Sequence, residues 1–132
     1  MNAAPGGYAT GPDARTRQVG EHARLDKAAG IHRDAALESC SWGLFQVMGY
    51  HWSSLGFPDI QSFINAMYRS EGAQLDAFVK FIKDNPAMHA ALKRKSWADF
   101  SRLYNGPGYA KHEYDTRLAA AYEKYAKELP CN

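Results

Sequence analysis

A chain of 132 residues fits one ordinary domain and leaves little room for a second. Apolar residues make up 45% and charged residues 23%, the balance of a globular protein, and no apolar run approaches the roughly 20 residues of a spanning helix. A formal net charge of +2 is too slight to imply nucleic acid, and two cysteines, Cys40 and Cys131, exclude a disulfide framework or a Cys-only zinc site.

Three glycines and two prolines keep the first dozen residues from any regular element, and no apolar stretch there could serve as an export signal. Asp13 can cap a helix to about Ala29 with a thin apolar face of Val19, Leu25 and Ala28, stopped at Gly30. A short helix over about Ile31 to Ser39 follows, then a turn at Ser41–Met48 feeding one or two helical turns. The clearest pattern lies between Ile60 and Ile82, where apolar residues fall in steps of three and four at Ile60, Phe63, Ile64, Met67, Leu75, Phe78, Val79 and Ile82. One long helix or two meeting at Ser70 satisfies it equally. Two further helices are predicted over Pro86 to about Lys93 and, capped by Ser96, to about Tyr104. The Asn105-Gly-Pro-Gly108 break precedes a last helix, about Tyr114 to Leu129, with Leu118, Tyr122 and Tyr125 on one side. With no alternating β-branched run, the expectation is all-α, six or seven short helices in one domain over 1–132.

The stripe singles out Glu71. On a continuous helix it would sit on the apolar face after Ile64 and Met67, and desolvation would raise its pKa as a general acid requires. With a break at Ser70 it would occupy a first turn, favoured by the helix dipole; a buried carboxylate satisfied by backbone donors is a third possibility. Glu38, just ahead of the Gly43 turn, is either an acid aimed into a cleft beside Gln46 or a solvated carboxylate. Trp42, Tyr50, Trp52, Tyr104, Tyr109 and Tyr114 crowd around two glycine-bearing breaks. Aromatics beside a groove suit the flat faces of sugar rings, with the amides of Gln46 and Asn105 to read polar edges; core packing is the plainer role for most of these rings. The five histidines show no paired ligand spacing, so no metal and no cofactor is expected. Lys93-Arg-Lys95 reads as a solvated face rather than a nucleic-acid patch. Cys40 has no neighbouring histidine to make it a nucleophile.

Five segments, in order, resemble the N-acetylmuramidase family of phage endolysins, within the lysozyme-like lytic transglycosylase superfamily. They are Pro5–Tyr8 (PGGY), Ser41–Gly49 (SWGLFQVMG), Ser70–Leu75 (SEGAQL), Tyr104–Ala110 (YNGPGYA) and Tyr114–Tyr122 (YDTRLAAAY). The resemblance covers almost the whole chain. It implies an all-α, lysozyme-like domain acting on peptidoglycan glycan strands at the β-1,4 bond between N-acetylmuramic acid and N-acetylglucosamine, by hydrolysis or by transglycosylation. It further implies that Ser41 and Gln46 line the glycan groove, Tyr104 positions the acid, and Asn105 holds the loop or a sugar.

One departure shapes the expectations. In that family the acid is a glutamate of an E-x-E-S-like segment on a helix well before PGGY, whereas this sequence begins almost at PGGY. Glu38-Ser39 imitates the Glu-Ser pair at too short a spacing. The expected domain is therefore incomplete at its N-terminus, with the acid upstream of Met1 and Glu71 and Glu38 the only candidates within. Little activity alone is expected, along with dimerisation or domain swapping through exposed apolar seats. A non-catalytic peptidoglycan-binding module of the same fold is the alternative. Neither nucleic acid nor membrane is expected as a partner. A phage enzyme of this kind would be made in the cytoplasm without a signal peptide and act on the bacterial wall.

Overall fold

The computed structural model describes residues 12–129, so the Pro5–Tyr8 motif and Cys131 lie outside the described residues. Seven α-helices appear among them: α1 (Ala14–Ala29), α2 (Arg33–Glu38), α3 (Ile60–Arg69), α4 (Glu71–Lys83), α5 (Pro86–Lys93), α6 (Trp97–Asn105) and α7 (Tyr114–Glu128). Two short strands, β1 (Ser41–Trp42) and β2 (Val47–Met48), and 3-10 turns at Gly49–His51 and Pro107–His112 complete the order. The strands pair antiparallel, Ser41 with Met48 and Trp42 with Val47. None of these helices is long and apolar enough to cross a membrane. The chain divides into two compact units at the Ala77–Phe78 link, inside α4.

Caps set most helix starts. Asp13 accepts from Thr16 N at 2.7 Å, Asp59 from Ser62 N at 2.7 Å and Asn85 from Met88 N at 3.1 Å, each serving an amide that lacks a partner within its helix. The cap expected from Ser96 takes another form. Its hydroxyl donates to Asp99 Oδ2 at 2.8 Å instead of accepting from the backbone.

In the first unit, α2, α3 and the 3-10 turn at Gly49–His51 pack together. Ala36, Leu37, Val47, Leu55, Ile60, Phe63, Ile64 and Met67 are buried there, and Phe57 meets Phe63 edge-on at 5.5 Å. The face proposed for α1 is largely open among the described residues: the helix fully buries no residue, Val19 is 63% exposed and Leu25 is only half-buried. Where the sequence suggested only a turn feeding helical turns, a two-stranded ribbon stands. Two residues per strand are too few to show alternation.

The stripe from Ile60 to Ile82 is broken. Ser70 is fully extended (φ −169°, ψ 160°), so α3 ends and α4 begins anew. The break re-phases the pattern: Ile60, Phe63, Ile64 and Met67 are buried, but Leu75 is 47% and Val79 40% exposed, while Ala77 and Ile82 turn inward.

The second unit packs α6 against α5 and α7. Its core is Ile82, Met88, Ala91 and Phe100, flanked by Phe78, Phe81, Leu92, Tyr104 and Leu118. The outer face of α7 stays open. Trp97, Leu118, Tyr122, Tyr125 and Leu129 line a shallow apolar groove of about 540 Å³, and Lys95 Nζ sits 4.7 Å above the Tyr122 ring.

Candidate functional site

The first group of candidate residues sits on the turn between β1 and β2. Four residues reverse the chain there, and two of them, Gly43 (φ 73°) and Gln46 (φ 54°), are left-handed. Glycine takes that conformation without cost; glutamine needs help. Help comes from its own side chain, whose Nε2 donates to Gly43 O at 2.9 Å while Oε1 accepts from Ser41 Oγ at 2.7 Å. Ser41, at the start of β1, and Gln46, in the turn, are thus brought together, and both are exposed. Each keeps spare capacity: the amide has a second N–H and a second lone pair, and the serine oxygen can still accept.

Two tryptophans, one in β1 and one just past the 3-10 turn, bond to the end of α2. Trp42 Nε1 donates to Leu37 O at 3.0 Å and Trp52 Nε1 to Glu38 Oε1 at 2.8 Å. Gly49 permits the close approach, since a Cβ there would stand 2.2 Å from Leu37 O. Burial lowers the pKa of His51, which follows in the same 3-10 turn.

These contacts define the two candidate carboxylates. Glu38, half-buried at the end of α2, is engaged by an indole. Glu71 opens α4, exposed in its first turn. The apolar-face placement that a continuous helix would have given Glu71 is not realised, because the chain breaks at Ser70.

The second group stands at the end of α6. Tyr104 is half-buried and ringed by Phe78 at 5.4 Å, Phe81 at 6.0 Å and Phe100 at 5.7 Å, the first two edge-on and the last stacked at 9°. Burial pushes its pKa up to about 12, so the phenol stays protonated and can donate at any physiological pH. Asn105, the last residue of α6, is exposed. Among the described residues no group of three or more His, Cys, Asp or Glu side chains could hold a metal ion.

The first unit offers polar groups on a hydrogen-bonded turn, and the second a protonated phenol in an aromatic seat. The N-acetylmuramidase family model matches residues 8–126. This chain belongs to the N-acetylmuramidase family. A solved structure, that of a phage endolysin (Burkholderia AP3 phage), is 46% identical with a TM-score of 0.80, over 89% of this chain. The match takes in 44% of that endolysin, so this chain spans less than half its length. The search of curated proteins returned no match.

The all-α, lysozyme-like endolysin fold expected of this N-acetylmuramidase family member is the fold observed. One residue beside the turn was not anticipated from the sequence. Gln74 Oε1 accepts from Leu44 N at 2.9 Å, and its Nε2 donates to Met67 O at 2.7 Å. Its signal in the sequence was only its place within the SEGAQL segment.

Proposed function

We propose that this chain cradles glycan strands of peptidoglycan for an N-acetylmuramidase that cleaves the β-1,4 bond after N-acetylmuramic acid, with the general acid supplied from outside residues 12–129. Family membership across residues 8–126 supports the substrate class. The observation that carries the rest is the state of the two carboxylates: Glu38 is tied to the Trp52 indole and Glu71 opens a helix in solvent. Cleavage needs a proton delivered to the leaving oxygen as oxocarbenium character develops, and a carboxyl with its pKa raised by burial is suited to that. A phenol near 12 holds its proton too tightly for the task. Tyr104 instead donates a hydrogen bond that orients the acid, while Ser41, Gln46 and Asn105 bind the polar edges of the sugars.

Retention on insoluble sacculi tests the cradle. The chain is expected to be retained, with Gln46→Ala and Asn105→Ala each weakening binding by about tenfold. Turbidity clearing of purified walls tests the acid. No lysis is expected from the chain alone, and strong lysis abolished by Glu38→Gln or Glu71→Gln would place the acid on that residue instead. Fusing the relative's unmatched segment to this chain is expected to bring lysis, which a purely wall-binding module would not gain.

A further inference from the structure

Gln74 uses its amide in a way the mechanism above does not require. The residue lies one turn into α4, half-buried, with its own N–H bonded to Ser70 O at 3.2 Å. Its side chain joins two main-chain groups that secondary structure leaves unserved. Met67 O belongs to the last turn of α3, where carbonyls lack intrahelical partners, and it accepts from Nε2 at 2.7 Å. Leu44 N sits in the turn between β1 and β2 and donates to Oε1 at 2.9 Å. Gly43 lies directly against the same amide, where a Cβ would fall 2.9 Å from both Cδ and Oε1 of Gln74.

A chain of polar contacts therefore runs from α3 to the exposed end of the ribbon. Met67 O holds Gln74, Gln74 holds Leu44 and abuts Gly43, Gly43 O receives Gln46 Nε2, and Gln46 Oε1 receives Ser41 Oγ. We infer that Gln74 is a positioning residue for glycan binding: it sets the height and tilt of the 43–46 turn, and through it the aim of Gln46 and Ser41. This rests on the glycan-binding reading above. A primary amide is required because one partner is an acceptor and the other a donor, and the two ends of the amide answer both at once. A carboxylate in its place would set an anion against Met67 O. A thioether of similar length would leave the Leu44 amide and the Met67 carbonyl without a partner.

The chemistry offers a test that general destabilisation does not mimic. A protonated carboxyl has a carbonyl that accepts and a hydroxyl that donates, so Gln74→Glu regains the pattern of the amide once it binds a proton. Wild type, Gln74→Met and Gln74→Glu are compared for retention on sacculi and for hydrogen exchange at the Leu44 amide, which needs no ligand. Near neutral pH both variants are expected to lose about tenfold in retention and a similar factor in Leu44 protection. Lowering the pH to about 4.5, near the ordinary glutamate range, restores Gln74→Glu to within about twofold of wild type at the same pH and leaves Gln74→Met impaired. Arg69, Glu71 and His51 stand on α3, α4 and the 3-10 turn, and reading each variant against wild type at the same pH removes the effects of charged groups that all three proteins share.

Wild-type retention and Leu44 protection in Gln74→Met would overturn the inference, as would Glu and Met variants that behave alike at every pH. A wild-type chain that is not retained removes the glycan-binding reading and the inference with it. Leu44 exchange then shows which link failed, because it reports the hold on the turn alone.

Discussion

Gln46 is fixed at an exposed turn by hydrogen bonds at both ends of its amide, whereas Tyr104 is fixed in a half-buried seat by three phenylalanine rings. The polar device depends on direction. Each bond nets only about 0.5–1.5 kcal/mol against water, but its geometry is specific, so the turn can be precise without contributing much stability. The aromatic device depends on area. Ring burial stabilises strongly and tolerates small rotations, and the same burial keeps the phenol protonated. Damage to the first should therefore appear mainly in binding, and damage to the second mainly in stability.

The largest expected effect follows from emptying the aromatic seat. Phe100 is 3% exposed, and Phe100→Ala is expected to cost about 3–5 kcal/mol in urea unfolding. A loss below about 1 kcal/mol would mean that packing does not hold Tyr104. Next comes the turn. Gly43→Ala places a Cβ on a left-handed residue and against Gln74, for about 2 kcal/mol of destabilisation and a larger relative loss of wall binding. Gly72→Ala is the matched control. It lies inside α4 with only Ser70 Oγ at 3.7 Å, and should stabilise by about 0.5–1 kcal/mol.

The smallest effect is electrostatic. Burial holds the His51 pKa below its usual 6.5, so on acidification the unfolded chain takes up the proton first. The stability contributed by the neutral imidazole is complete above pH 6.5 and is lost as the pH falls through the depressed native value. The thermal midpoint should fall modestly between about pH 7.5 and 5, and His51→Asn should flatten that slope. An unchanged slope in the variant would assign the acid sensitivity to another group.

Helices, caps and the core of α3 were legible because local chemistry decides them. Asp13 caps as its position suggests, although Ser96 does not, and the 3.6-residue period marks Phe63, Ile64 and Met67. Periodicity was silent at Ser70, because two helices in phase on paper need not be in phase after one extended residue. That break decided the fate of Glu71. The ribbon and the role of Gln74 were invisible for a different reason. Both rest on contacts between distant segments, such as Leu44 with Gln74, and no pattern within either segment encodes the other.

An exposed joint of one residue is normally where a chain tolerates additions. Ser70 looks like such a place, yet the Gln74 side chain spans it as a strut, from α4 back to Met67 O. Lengthening the linker by a single residue adds up to about 3.5 Å of reach, more than the strut's 2.7 Å bond can follow. A tag, a glycine or a cleavage site inserted here would loosen the 43–46 turn, although Trp42 still ties the ribbon to α2, so engineering of this protein should begin elsewhere.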